Sequence, residues 1–220
     1  MIILRPPRCA GVVAVLLALS ACVSGLKNKA PAPQTYVLQP AYPADAPAGP
    51  TMMSNAARAQ AGTLQVLQGT VAAGLDTDAI AVLRPGLRFD YYSGAHWAVS
   101  VPAMVRMLAI DALRRLQRYS AVESDSGPFA PDLVLNLEVE HFEAQYGDSG
   151  PPTIHVALLC TLGSRTDRGT LATFTAESRV RADSDRMQSV VAAFERASGE
   201  VMAQVAANAT QPAATRPLPP

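Results

Sequence analysis

The chain has 220 residues, of which 49% are hydrophobic and 16% charged. Lys and Arg number 18 and Asp and Glu number 18, so the formal net charge is zero. A chain with no basic excess releases few counterions from a phosphate backbone, which argues against nucleic acid as a partner. The length is enough for one domain with a sizeable core.

Residues 1–21 have the features of a secretory signal peptide. Arg5 and Arg8 form its basic end, residues 10–19 its apolar run, and small residues close it. A run of about ten apolar residues is too short to span a bilayer as a helix. We therefore expect this segment to be removed.

The signal ends in Leu19-Ser20-Ala21-Cys22, which resembles a lipobox, the sequence read by the lipoprotein signal peptidase. We expect cleavage before Cys22, a diacylglycerol thioether on its sulfur and an acyl chain such as palmitate on its new amine. Several acyl chains together anchor a protein stably. Val23 follows in place of the Asp that retains lipoproteins at the inner membrane, which favours the periplasmic face of the outer membrane. The alternative is an ordinary signal peptide cut nearby, with Cys22 incidental.

Composition divides the rest of the chain. Residues 22–33 predict a lipidated tether, and residues 40–62, rich in Ala and Pro, predict a flexible loop. The tail 209–220 contains four prolines and is predicted to be disordered. The folded domain is expected to cover residues 34–208.

Short apolar or alternating runs predict the strands of the first half of this domain. An aromatic run follows the third of them and reaches a Ser93-Gly94 turn, after which the chain is expected to return as the second arm of a hairpin. The predicted strands are 35–38, 63–68, 80–83, 87–92 and 95–99.

An amphipathic helix is predicted next. Ser100 is placed to cap it, and Pro102 lies in its first turn, where a missing N–H costs nothing. Apolar residues recur at helical spacing along one face. They are Val101, Val105, Leu108, Ala112 and Leu116, with Met104 and Ala109 beside them.

The second half predicts four strands and a final helix that starts at Asp185, with Gln188 in capping-box position. Short connections make the last three strands an antiparallel meander. The fold class is therefore α/β (or α+β): a mixed sheet with a C-terminal meander and two main amphipathic helices packed on it. The four strands are 121–123, 133–143, 154–162 and 170–181.

The order of these parts resembles the ABC-type transport auxiliary lipoproteins, the paraquat-inducible protein C family of Gram-negative bacteria. The resemblance rests on 74–80, the aromatic strand 87–92, His96-Trp97-Ala98, and Pro102-Ala103-Met104 with the helix that follows. It covers roughly residues 34–207, behind a lipoprotein signal.

This resemblance implies a non-catalytic accessory subunit of an ABC transporter that works with an MCE-domain protein. Such a system moves lipids or other hydrophobic molecules between the two membranes. The expected partners are the MCE-domain protein and the ABC permease and ATPase, and the resemblance leaves open a homo-oligomeric ring. One rival class is an outer-membrane lipoprotein that itself binds a lipid or glycan, and another is a periplasmic hydrolase.

The residues suggest little chemistry. No nucleophile elbow, phosphate loop or dinucleotide motif occurs in the sequence, so no catalytic residue is assigned. After processing only Cys160 keeps a thiol, and its phase in the strand points it into the core. His141 and Glu143 lie on the same strand face and could begin a metal site, but no third ligand is readable. We expect no metal, and no cofactor other than the lipid on Cys22.

Four aromatic residues lie close together in a chain with few of them: Phe89, Tyr91, Tyr92 and Trp97. We take Tyr91, Tyr92 and Trp97 as candidate partner contacts, because Trp and Tyr anchor interfaces well. The alternative is a hairpin packed on the helix, with Phe89 and Trp97 the more deeply buried pair.

Overall fold

A computed structural model describes residues 32–40, 62–128 and 130–209 of the chain. The signal peptide 1–21, Cys22, and almost all of the tether 22–33, the loop 40–62 and the tail 209–220 lie outside these described residues. Those described from Pro33 onward belong to one compact unit.

The described elements are eight strands of one mixed sheet and two helices. In chain order they are β1 (Gln34–Tyr36), β2 (Thr63–Val71), β3 (Ala79–Arg84), β4 (Arg88–Trp97), α1 (Val101–Arg115), β5 (Ala121–Ser124), β6 (Leu133–Gln145), β7 (Thr153–Ser164), β8 (Gly169–Arg181) and α2 (Met187–Ala209).

Strand β6 is the centre of the sheet. Along one edge its first part pairs in parallel with β2, and its last residues pair in parallel with β3. Along the other edge it pairs antiparallel with β7, which pairs antiparallel with β8. The predicted meander is confirmed, because short turns join these three strands. The predicted fold class is confirmed as well.

Both helices cover the same face of the sheet, and the core lies between them and the strands. Helix α1 begins after Ser100, whose carbonyl, rather than its side chain, accepts the N–H of Met104. Its buried face is shifted from the predicted stripe, since Ile110 and Leu113 are buried whereas Leu108 and Leu116 are only partly buried. Neither described helix is long and apolar enough to cross a membrane.

An aromatic cluster joins α2 to the sheet. The Phe194 ring lies 5.1 Å from the Trp97 ring and 5.2 Å from the Phe142 ring, centroid to centroid. All three side chains are fully buried. Such pairs stabilise a core beyond the area that they bury.

The predicted hairpin at Ser93-Gly94 is wrong. Strand β4 runs on through these residues, and Gly94, at φ 69°, lies within it. Ala79 pairs with His96, and Ala81 pairs with Tyr91. Two residues along β3 therefore correspond to five along β4. The extra residues form a bulge, which bends a strand without reversing it. Beyond the bulge β4 also pairs with β1.

Helix α2 begins two residues later than predicted, at Met187. The carboxylate of Asp185 accepts a hydrogen bond from the Tyr146 hydroxyl. Because α2 begins at Met187, Asp185 lies one residue before the position that would cap the helix, so the capping box that the sequence suggested does not match this start.

Candidate functional site: the open face of the sheet

Opposite the helices, the sheet has a second face that we call the open face, because no described helix packs on it. Strand pairing places Tyr91, Ala81 and Glu143 side by side across β4, β3 and β6. The same row continues through His155 on β7 to Arg179 on β8. Directly paired residues point to the same side of a sheet, so these side chains share the open face.

A bulge in β6 brings His141 and Glu143 to this face. Strict alternation from the buried Val139 would turn both toward the helices. Val139 pairs with Leu158, and His141 pairs with Ala157. Two residues along β6 therefore correspond to one along β7. The extra residue inverts the alternation, so that Phe142 enters the core and its two neighbours face outward.

Glu143 is 3% exposed and accepts hydrogen bonds from three directions. The Phe142 N–H donates to Oε2 at 2.7 Å. Oε1 lies 2.9 Å from His141 Nδ1 and 2.8 Å from Gln145 Nε2. A buried carboxylate needs partners of this kind, because its desolvation is otherwise costly.

His155 is 2% exposed, and both of its ring nitrogens have partners. Nδ1 lies 3.0 Å from Gln145 Nε2, and Nε2 lies 2.9 Å from an oxygen of Glu177. Arg179 donates to Gln145 Oε1, so the amide nitrogen of Gln145 is the atom that faces the histidine. An amide N–H only donates, so His155 accepts at Nδ1 and donates from Nε2 to Glu177.

The electrostatics of this group favour a neutral His155. Burial lowers the pKa of His155 and the neighbouring His141 and Arg179 lower it further, while Glu143 and the hydrogen bond to Glu177 oppose this change by a smaller amount. Hydrogen bonds from Arg179 and His155 lower the pKa of Glu177. Beside the two histidines, the carboxylates of Glu143 and Glu177 and the guanidinium of Arg179 together carry a formal charge of −1.

The aromatic patch, Phe89 and Tyr91, lies two strands from this cluster. Their rings meet edge to face at 5.6 Å and are 39% and 40% exposed. The Tyr91 hydroxyl donates to the carbonyl of Gly74 at 2.9 Å. A Cβ on Gly74 would lie 2.8 Å from the Phe89 ring, so the loop before β3 packs closely against the patch and leaves no room for a side chain at this position.

The three predicted partner contacts therefore have different positions. Tyr91 lies on the open face. Tyr92 points to the other side, where its hydroxyl lies 2.9 Å from that of Tyr146 and burial raises its pKa. Trp97 is 1% exposed and belongs to the core. The burial of Trp97 corrects its proposal as a contact residue and confirms the alternative for that residue. Phe89, which the same alternative places in the core, is exposed instead, because the β4 bulge separates the environments of the two residues.

Sequence reasoning missed His155 as the neighbour of His141 and Glu143. The sequence did contain an indication of this contact. A turn centred near residue 149 places residues 143 and 155 opposite each other in a hairpin. Cys160 points into the core as predicted, and burial raises the pKa of its thiol to about 12. The predicted lipid-attachment residue Cys22 and peptidase-recognition residues Leu19, Ser20 and Ala21 are outside the described residues.

Comparisons with known proteins agree with this architecture. The family model described as ABC-type transport auxiliary lipoprotein component matches residues 42–206. Protein XCC0632 from Xanthomonas campestris is 22% identical, over 79% of this chain and 92% of that one, with a TM-score of 0.66.

A second crystal structure, of an uncharacterized protein, is 14% identical over 81% of this chain and 99% of that one, with a TM-score of 0.60. A PelC dodecamer from Paraburkholderia phytofirmans is 14% identical over 68% and 88%, with a TM-score of 0.42. No curated protein matches the chain.

Proposed function

This chain belongs to the family of ABC-type transport auxiliary lipoprotein components, and we propose that it is a non-catalytic subunit that docks another component of its transport system. Membership places it among the membrane-anchored lipoproteins of the cell envelope that serve ABC transport. Its anchor is the acylated Cys22, at the periplasmic face of the outer membrane. Its partner is an MCE-domain protein that acts with an ABC permease and ATPase on lipids or other hydrophobic compounds.

The aromatic patch is the observation that supports docking. Phe89 and Tyr91 expose large rings on a sheet face that no described helix covers, and Leu87 beside them is also exposed. Aromatic side chains that are rigid and partly exposed carry much of the binding energy of protein interfaces. The Gly74 contacts hold both rings in place, so little conformational entropy is lost when a partner covers them.

Affinity capture tests this function. The acylated protein is recovered from detergent-solubilised envelopes as wild type, as the double variant Phe89→Ala/Tyr91→Ala, and as Met107→Ala. Met107 is a matched control, because it is an exposed apolar residue on α1. We expect the wild type and the control to recover an MCE-domain protein or permease, and the double variant to recover at least about tenfold less.

The possible outcomes distinguish a wrong docking surface from a wrong docking function. Equal recovery by the double variant would move the docking surface elsewhere on the domain. Recovery of neither component by the wild type would contradict the docking function and favour a lipoprotein that binds its own ligand.

The ligand-binding alternative has weaker support. A depression of about 330 Å³ lies at the end of α1, and Arg114, Gln117 and Glu123 contribute to its lining. A lipid site would instead be mostly apolar, with a few polar groups at its mouth.

A further inference from the structure

Three ligand atoms of the kind that transition metals prefer converge on the open face. One ligand atom from each of His141, Glu143 and His155 lies within 4.8 Å of the other two, and Glu143 Oε1 faces Nδ1 of His141 and Nδ1 of His155. The glutamate oxygen is 2.9 Å from the first nitrogen and 3.5 Å from the second. Ligand atoms around a tetrahedral zinc ion are themselves about 3.4 Å apart, given metal–ligand distances of about 2.0–2.1 Å. The cluster therefore has the dimensions of a metal site.

A hydrogen-bond donor already lies between two of these atoms. Glu143 Oε1 and the accepting Nδ1 of His155 are both lone-pair acceptors, and their approach is unfavourable without a donor between them. Gln145 Nε2 supplies that donor, at 2.8 Å from the oxygen and 3.0 Å from the nitrogen. A metal ion with two positive charges would satisfy the same two acceptors more strongly than an amide does.

The surroundings resemble the outer shell of a metal site. A histidine that binds a metal usually donates its other N–H to a carboxylate, which fixes the ring and makes it a better ligand. His155 does this through Nε2 to Glu177, and Arg179 donates to the same glutamate oxygen. The His155 and His141 rings stack at 4.0 Å, and the His141 side chain is 46% exposed, so it has room to turn toward an ion.

We propose that His141, Glu143 and His155 bind a divalent transition-metal ion of the zinc class, which displaces the amide of Gln145. Two imidazoles and one carboxylate form a donor set that zinc accepts. His141 lies at the solvent side, so a fourth position remains open to water or to a group on a partner. This site does not depend on the proposed docking function.

Zinc binding to the full-length acylated protein, purified in detergent without a histidine tag, tests the site. The protein is stripped with a chelator and dialysed against buffered zinc. We expect one equivalent of zinc per chain at free concentrations of about 1 μM or lower. Magnesium should not compete, because it prefers oxygen ligands and retains its waters.

Substitutions identify the ligands. His141→Gln, Glu143→Gln and His155→Gln should each weaken zinc binding by at least about 100-fold, and Glu177→Gln by about 10- to 100-fold. His96→Gln is the matched control, because His96 lies on β4 beside Asp78, and it should bind like the wild type. Gln145→Ala should bind zinc at least as tightly as the wild type.

Two measurements keep the test decisive. Thermal unfolding of each variant shows whether lost binding comes from lost folding, and the half-exposed His141 is the substitution least able to disturb the core. X-ray absorption of the zinc form should show two imidazole ligands. The proposal is overturned by no stoichiometric zinc uptake, by equal uptake in a folded His141→Gln variant, or by loss of binding in Gln145→Ala.

Discussion

The hydroxyl of Tyr119 donates a buried hydrogen bond of 2.6 Å to the carbonyl of Ala209, ninety residues later in the chain. The last carbonyls of a helix have no partner within the helix. Tyr119, just after α1, supplies one to the last residue of α2. This contact joins the C-terminal ends of both helices, and burial raises the pKa of Tyr119 to about 12.

Tyr119→Phe should lower the free energy of unfolding by about 1 kcal/mol at neutral pH, because the Ala209 carbonyl loses its buried donor. Urea unfolding of the acylated protein in detergent, followed by the fluorescence of the single tryptophan, measures this change. Tyr36→Phe is the control, since the Tyr36 hydroxyl bonds only the exposed side chain of Gln34 in the described structure. An equal effect of both substitutions would contradict the role of the contact.

Alkaline pH should weaken the same contact. The folded pKa of Tyr119, about 12, lies above the value near 10 of an unfolded tyrosine. The unfolded state therefore loses this proton first, and the stabilisation, complete below pH 10, is lost as the pH rises to 12. The wild type should lose more stability over this window than Tyr119→Phe does. Parallel curves for the two proteins would show that Tyr119 does not titrate as the structure implies.

Thiol chemistry tests both Cys160 and the predicted anchor. The thiol of Cys160 is fully buried, and its raised pKa leaves almost no thiolate at pH 8, so iodoacetamide should not modify the folded protein. After denaturation the mature protein should react at one thiol, because Cys9 leaves with the signal and Cys22 is a thioether. Mass spectrometry counts the modifications. Two reactive thiols would mean that Cys22 is not acylated.

The two phenylalanines Phe194 and Phe89 should respond differently to truncation. Phe194→Ala removes a ring from the aromatic cluster and should cost about 3–5 kcal/mol of unfolding free energy. Phe89→Ala removes a partly exposed ring and should cost about 1 kcal/mol or less. Denaturant titrations compare them directly, and similar losses would contradict the placement of Phe89 on the open face.

Replacing Cys22 with alanine tests localisation. We expect the Cys22→Ala protein to be released from the membrane or to remain uncleaved at the inner membrane, since no acyl chain is then attached. Fractionation of envelopes with an antibody to the domain measures this. Unchanged recovery in the outer membrane would refute the anchor.

The sequence alone determined the fold class and the described elements, except that it predicted a hairpin at Ser93-Gly94 where β4 is one continuous strand. Period-two alternation in 133–139 and 170–181 and the helical stripe beginning at Val101 depend on neighbours in the chain, and burial on one face leaves that pattern in the residues. The meander followed from short turns, and the inward phase of Cys160 followed from its strand.

Only the tertiary structure decided which side chains meet. The β4 bulge and the pairing of β4 with β1 send Trp97 into the core and leave Phe89 exposed. The β6 bulge turns His141 and Glu143 away from the helices, and strand register places His155 beside them. Register and bulges arise from pairing between residues distant in the chain, and shifting a strand by one residue exchanges its two faces. The local sequence pattern therefore could not determine which of the two faces each side chain occupies.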